Sequence, residues 1–387
     1  MAKHERILRI SRRVNVPLWE KALIKLSFIL VAFLICGVIV NIVCPGKFGE
    51  FFVQLFDGNF KTGNRALTLC WETALLFLVA VALTPAFKMK FWNIGGEGQI
   101  MMGALGALIG LYFIAPYVPL FFAILIEFVL AILFGMIWAF IPAFFKAIFN
   151  TNETLFTLML NYIAIGIVGA CIMMWANSGS GTILPLNKPT KAGWLPYVGD
   201  FNNSYILNII IVALTAFVVW VYLNYSKHGY ELNVVGGSRD TAKYVGINVR
   251  AVIIRTVILS GAICGLAGFL LVAGSDHTIT KDIAGGRGFS AIMISWIGEF
   301  SVPLMALYSF LISFVSKGAS AGSRTIGYKA SISNVLVATF FIVIITSNFF
   351  VNFKLHIKLP SSKKKELEQV TETPIEEEVT SDAKEAK

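Results

Sequence analysis

The sequence predicts an all-α, polytopic membrane protein of about ten transmembrane helices, some of them short, broken or re-entrant. Three observations carry this. Of 387 residues, 57% are hydrophobic and only 14% charged, with a mean hydropathy of +0.75, whereas soluble domains carry about 25% charged residues. The apolar residues fall in runs near the ~20 needed to cross a bilayer as helix, unlike the ~10-residue alternating segments of an outer-membrane barrel. The 33 glycines and 12 prolines agree, since both are commoner in membrane helices than in soluble ones.

Residues 1–21 read as a basic cytoplasmic segment. Between positions 3 and 25 lie seven basic side chains (Lys3, Arg6, Arg9, Arg12, Arg13, Lys21, Lys25) against Glu5 and Glu20, a bias that marks the cytoplasmic side of a first span. Ile7, Leu8, Ile10 and Val14 allow an interfacial amphipathic helix; a basic anchor without fixed structure fits equally well. The apolar run 22–43 is too long for a signal-peptide core, and no small-residue cleavage site follows it. It begins a transmembrane domain over 22–350.

Spans are expected at 22–44, 65–84, 99–115, 119–142, 154–177, 205–225, 251–274, 288–297, 301–316 and 332–350. Two are short and follow glycine-rich motifs near Gly96 and Gly286, which hint at an internal repeat although side-by-side identity is poor. Ten spans put both termini inside. The segment 226–255, with Lys227, Arg239, Lys243, Arg250 and Arg255 against Glu231 and Asp240, is then cytoplasmic. Loops 45–64, 178–204 and 275–287 fall outside with nearly balanced charge. Loop 317–330 disagrees, carrying Lys317, Arg324 and Lys329 with no acid. From 351 to 387 the chain turns polar and charged, as a disordered cytoplasmic tail does.

The net charge of +10 sits at span ends and in two short segments, a topology signal that leaves nucleic acid out as a partner. The five cysteines (36, 44, 70, 171, 264) lie in or beside apolar runs without paired spacing, as packing residues do. The four histidines form no ligand cluster. No G-x-x-x-x-G-K-[ST] is present; "GASAGSRT" at 318–325 lacks the lysine. Any ATP hydrolysis belongs to another chain.

Two segments carry chemistry. In "FWNIGGEGQ" (91–99) glycines let backbone bend at membrane depth just beyond Lys88 and Lys90. Glu97 either caps a helix start together with Asn93 and Gln99 or lines a polar pathway. Glu72, Glu127 and Glu299 are lone acids and Asn161 lies mid-span, each expected to make a satisfied contact between helices. In "SKHGYELNVVGGSRDTAKYVGINVR" (226–250) Ser238 can cap a two-turn helix with Asp240 in its first turn, Lys243 near its end and Gly246 closing it. On pattern alone this is a solvated loop helix.

"FWNIGGEGQIMMGALGA", "NETLFTLMLNYIA" (152–164), "GYELNVVGGSRDTAKYVGINV" (229–249), "SGAICGLAGFLLVAG" (260–274) and "GRGFSAIMISWIGEFSVPLMAL" (286–307) together resemble the membrane permease subunit of bacterial ABC importers for nucleosides and simple sugars, over roughly 60–350. The resemblance implies a second permease subunit, identical or homologous, cytoplasmic ABC ATPase subunits and an extracytoplasmic substrate-binding lipoprotein. It implies no cofactor in this chain, ATP and Mg being held by the ATPase. It makes Gly229, Tyr230, Glu231, Arg239, Asp240 and Gly246 the residues that dock into the ATPase, in place of the solvated-loop reading. It sets Asn93, Gly95, Gly96, Glu97, Gly98 and Gln99 along the translocation path, to which mid-span Asn161 is added. There are departures: Gly96 stands where alanine is frequent, Leu155 and Phe156 where valine-isoleucine is, and "VVGGSRD" at 234–240 replaces an "AVGLNP"-type stretch.

The expected function is therefore that of a permease, not an enzyme, which imports a nucleoside or related ribosyl or simple-sugar compound across the bacterial plasma membrane, in contact with membrane lipids. A neutral substrate fits the mostly uncharged candidates. The competing class is an ion-gradient-driven carrier with Glu72 or Glu97 as its ion site.

Overall fold

The computed structural model describes residues 8–13, 17–176, 182–198 and 204–357. The expectations for residues 1–7, for 14–16 and for the tail beyond 357 lie outside the described residues. The chain divides into two compact units, one made of 1–31 with 343–387 and one of 32–342.

In the terminal unit, strand β1 (Leu8–Arg12) pairs antiparallel with strand β2 (Phe353–Ile357), Leu8 opposite Ile357 and Arg12 opposite Phe353. These strands flank the outermost parts of helices α1 (Leu18–Val43) and α13 (Ala330–Asn352). The Phe28 and Phe350 rings lie 5.2 Å apart, Arg13 pairs with Glu20, and the Arg13 N–H donates to the Asn352 carbonyl at 2.9 Å. The N-terminal segment thus holds a strand where a helix or an unstructured anchor was expected, and ordered structure runs past the expected boundary at 351. "LRISR" and "FKLHI" do alternate with the period of a strand, but each is short and its partner sits at the far end of the sequence.

The larger unit is a helical bundle: α2 (Phe48–Phe60), α3 (Gly63–Lys88), α4 (Gly96–Ile109), α5 (Leu120–Phe149), α6 (Glu153–Trp175), α7 (Tyr205–Tyr225), α8 (Lys227–Gly237), α9 (Arg239–Tyr244), α10 (Val249–Leu271), α11 (Arg287–Ile297) and α12 (Val302–Ile326), bounded by the remainders of α1 and α13. Among the described residues nine helices are long and apolar enough to cross a membrane. The tenth expected span, 288–297, is the 11-residue α11. Helix α12 runs back along α3, with Met305 at Thr84 and Lys317 at the Arg65 carbonyl. The stretch from the end of α10 to α12 therefore still makes a return pass, half of it loop. Irregular backbone survives at that depth only where protein or a cavity covers it.

Two further boundaries move. The expected loop 45–64 contains α2, whose Phe51, Leu55, Gly58 and Asn59 are buried, and Asn59 Nδ2 donates to the Phe314 carbonyl at 2.9 Å. At 13 residues α2 is too short to read as a span. The expected span 301–316 continues to Ile326. Lys317 and Arg324 are therefore helical, and their charge is not that of an external loop.

Helices α4, α5 and α10 meet through small residues. An added Cβ would stand 2.5 Å from the Gly265 Cα at Gly103, 2.4 Å from the Gly261 carbonyl oxygen at Gly135, and 2.4 Å from the Ala131 carbonyl oxygen at Gly265. Lipid tails are as apolar as leucine, so van der Waals packing at such approaches holds membrane helices together.

Helices α4 and α10 both loosen into π-helical turns at their C-terminal ends, Gly110–Ile114 and Val272–Asp276. The segment 182–198 satisfies the carbonyls this leaves: Asn187 Nδ2 donates to Leu111 at 2.9 Å and the Leu195 N–H to Ala273 at 3.0 Å. Trp194 stacks on His277 with ring centroids 3.6 Å apart. Burial pushes the His277 imidazole down from 6.5 to about 4. The folded segment thus prefers the neutral ring, and its seating weakens as pH falls from about 6.5 toward 4, where the released form binds the extra proton. Proteolysis of 182–198 is expected to accelerate between pH 7 and 5, and His277→Gln to flatten that dependence. An unchanged profile in the variant would remove His277 as the cause.

Candidate functional site

The stretch 91–99 is a buried joint between α3 and α4. Helix α3 closes in a Schellman arrangement: Lys90 takes the left-handed conformation at φ 59°, and the Phe91 N–H reaches the Ala86 carbonyl at 3.0 Å. Asn93 Oδ1 accepts from the Gly95 N–H at 3.0 Å and from Gln99 Nε2 at 3.4 Å, while Asn93 Nδ2 donates to Ser260 Oγ at 3.3 Å. Asn161 on α6 bridges the same turn. Its Oδ1 accepts from the Gly98 N–H at 2.8 Å and its Nδ2 donates to the Ile94 carbonyl at 2.9 Å.

Glu97 acts on another helix. Its two carboxylate oxygens accept from the backbone N–H groups of Gly286 and Gly288 at 2.7 and 2.8 Å. It thereby satisfies two of the donors that the start of α11 leaves unpaired. The approach is backbone to backbone, since a Cβ at Gly288 would lie 2.3 Å from the Glu97 nitrogen. The N-termini of α4 and α11 therefore meet around one carboxylate. Both bring the positive ends of their dipoles, which explains a carboxylate at this place better than an amide.

Beyond this joint lies a cavity of about 790 Å³, lined by residues of α2, α3, α11, α12 and α13. Asn64 and Arg65 line it at the start of α3, and Arg324 and Thr325 at the end of α12, so it opens at the end of the bundle away from α8 and α9. At its floor Arg287 donates to Glu72 at 2.7 Å. Asn93, Gly95, Gly96, Glu97, Gly98, Gln99 and Asn161 do not line this cavity. Gly286 and Arg287, which Glu97 seats, do.

Helices α8 and α9 form the second cluster. Ser238 caps α9, accepting from the Thr241 N–H at 3.3 Å; Asp240 pairs with Lys243 at 3.2 Å; and Gly246 follows at φ +79°. Asp240 and Tyr230 are exposed, and Arg239 is half-buried. Gly229 is buried, and a Cβ there would meet the Leu223 carbonyl at 2.3 Å. Glu231 binds Arg255 of α10 at 2.9 Å, and this hydrogen bond holds its carboxyl below the usual range. The expected docking set therefore divides into exposed members and members that fasten α8 to its neighbours.

Several residues escaped the reading of the sequence. Tyr244 and Val245, 92% and 62% exposed, add an apolar tip to α9. Gly236 packs against the end of α3, where a Cβ would stand 2.1 Å from the Lys88 carbonyl oxygen. Glu72 makes the contact between helices expected of it, in an ion pair with Arg287 of α11. Glu127 is fully buried, and neither oxygen has a hydrogen-bond partner among the described residues, against the satisfied contact expected of it. The excess of Lys317 and Arg324 in a supposed outer loop was a usable signal for the cavity wall.

Comparison with known proteins agrees with this architecture. The chain is 28% identical over 325 residues to the guanosine ABC transporter permease protein NupP of Bacillus subtilis, covering 83% of this chain and 92% of that one. It is 26% identical over 368 residues to the glucose ABC transporter permease protein TsgB13 of Haloferax volcanii, covering 90% and 94%. It is 25% identical over 300 residues to the nucleoside ABC transporter permease protein NupB of Lactococcus lactis, covering 74% and 79%. The family described as branched-chain amino acid transport system / permease component matches residues 66–351, well over half the chain, and this chain belongs to it as a multi-pass membrane permease of ABC transport.

Proposed function

We propose that the chain is the translocating subunit of an importer for nucleosides or related ribosyl and simple-sugar compounds, driven by separate cytoplasmic ATPase subunits. The guanosine, nucleoside and glucose cargoes named for its relatives support the substrate class. The observation that carries the reading is a continuous packed route from the exposed α8–α9 pair to the cavity floor. Gly236 bears on the end of α3, α3 leads into the Asn93–Gln99 joint, and Glu97 holds α11 and with it Arg287.

On this reading ATPase closure displaces α8 and α9 as one piece, and the joint passes the displacement to α11. The joint residues, with Asn161, control the pathway without lining it in this conformation. A second permease subunit and an extracytoplasmic binding lipoprotein complete the assembly. ATP and Mg belong to the ATPase, and this chain has no nucleotide site or cofactor of its own. The basic residues of 226–255 support a cytoplasmic position for α8 and α9 at the plasma membrane, and an even number of passes is in keeping with both termini on that side. The carrier alternative is disfavoured because Glu72 is held by Arg287 and both oxygens of Glu97 are bonded to backbone.

Uptake of labelled guanosine into vesicles holding the assembled complex is expected to need ATP. Uptake that follows a proton gradient and ignores ATP would overturn the proposal. Replacing Arg239 and Asp240 together by alanine should lower ATP-driven uptake about tenfold, the loss of one strong contact at an interface, with insertion unchanged. The Asp240–Lys243 pair is exposed, and such pairs add little to folding. Normal coupled uptake in the double variant would remove these residues from the docking surface.

A further inference from the structure

The cavity carries a charge that a neutral cargo leaves without purpose. Four cationic side chains line it, Arg65, Arg287, Lys317 and Arg324, against a single carboxylate, Glu72, which Arg287 already binds. The other three hydrogen-bond only to neutral carbonyls among the described residues, with Glu72 also attracting Lys317 at longer range. Arg65 donates to Asp57 at 3.0 Å, Lys317 to Arg65 at 3.3 Å and Arg324 to Ser320 at 3.3 Å. An excess of one charge among membrane helices is costly and marks a place where the opposite charge is received, and a cleft lined by one sign of charge concentrates the opposite ion.

The cations are graded in depth. Lys317 and Arg324 stand seven residues apart on α12, two turns along one face and about 10 Å from each other along the axis. Arg324 lies at the rim with Arg65, while Arg287 lies at the floor. The acidic surface of a docked protein would touch the rim, but only a small solute could follow the charge inward. The cavity also has an apolar strip: Val337, Ala338 and Phe341 of α13 face it at helical spacing together with Asn334, beside Ile312 and Leu76. A volume near 790 Å³ lies in the range of about 300–1,000 Å³ that takes a drug-sized ligand.

We propose that this cavity receives ribosyl compounds bearing a phosphate, with nucleoside monophosphates as the class. The phosphate passes from Arg65 and Arg324 to Lys317, and the base lies along Phe341 and its apolar neighbours, as bases do on aromatic rings. This deepens the importer reading and rests on it, adding an anionic cargo to the neutral one.

The test uses the complete ATP-driven complex in proteoliposomes with labelled guanosine 5′-monophosphate and labelled guanosine. The monophosphate is expected to enter and to do so better at low salt. Lys317→Gln with Arg324→Gln should lower the ratio of monophosphate to guanosine uptake at least about tenfold, the loss of a charge-assisted hydrogen bond, and Lys317→Arg should preserve it. Guanosine uptake without monophosphate uptake overturns the proposal and leaves the importer reading standing. An equal fall of both cargoes in the variant also overturns it, since the cations would then serve an acidic partner surface or the fold. If neither cargo enters, the importer reading falls, and equilibrium dialysis of the monophosphate against the purified permease decides the cavity alone. Binding weakened by the double variant supports the proposal, and no binding ends it.

Discussion

Glu97→Ala is expected to reduce ATP-driven uptake at least about thirtyfold without preventing insertion. The carboxylate is 7% exposed and is the acceptor for the N–H groups of Gly286 and Gly288. Removing it leaves two buried donors unpaired, each costing about 1–3 kcal/mol, and every 1.4 kcal/mol is about a factor of ten. The cost falls on the seating of α11, and therefore on Arg287 at the cavity floor. Glu97→Gln should fall between, because one oxygen still accepts while the amide N–H₂ faces the other backbone donor. Thiol labelling of Ser290→Cys, placed on α11 in the cavity wall, reads the seating independently of transport. It should change in the alanine variant in parallel with uptake. A proton-carrying glutamate would lose transport in both variants with the label unchanged. Parental uptake in the alanine variant would remove Glu97 from the mechanism.

This expectation shows where the sequence was informative and where it fell silent. The break at 91–99 was legible, because glycines and amides inside hydrocarbon violate the composition of a span. So were the bounds of α9, since Ser238 and Gly246 are local signals acting within their own turn. What Glu97 does was open between capping and lining because the N–H groups that donate to it belong to Gly286 and Gly288, nearly half the chain away. The Glu72–Arg287 pair and the meeting of Arg65 with Lys317 were hidden for the same reason. Helix α2 was missed because it is shorter than a bilayer, although Phe51, Leu55 and Gly58 carry the helical period. Single charges also misled: Lys317 and Arg324 obey the geometry of a cavity wall and not the statistics of loops.

Gly265→Val is expected to abolish accumulation of folded permease, whereas Gly246→Ala should be tolerated. At Gly265 even a Cβ would lie 2.4 Å from the Ala131 carbonyl oxygen and 3.2 Å from the Ile132 Cα. Neither is a side chain that can swing away, so α5 and α10 must part along their length. Separating them also opens the close approach of Gly135 to Gly261, a cost beyond about 4 kcal/mol set against a typical total stability of about 5–15 kcal/mol. At Gly246 nothing stands within 4 Å and only φ +79° opposes a side chain, a strain of about 1–2 kcal/mol. Detergent extraction with size-exclusion profiles separates the two outcomes. The contrast bears on mechanism, because a push delivered at α8 reaches the cavity only if the helices beside the joint move as one body. Small-residue contacts across α4, α5 and α10 supply that stiffness where no hydrophobic effect can. A Gly265→Val chain that extracts as a single species and imports at the parental rate would mean that these helices slide independently, and the packed route from α8 to α11 could not then transmit the stroke.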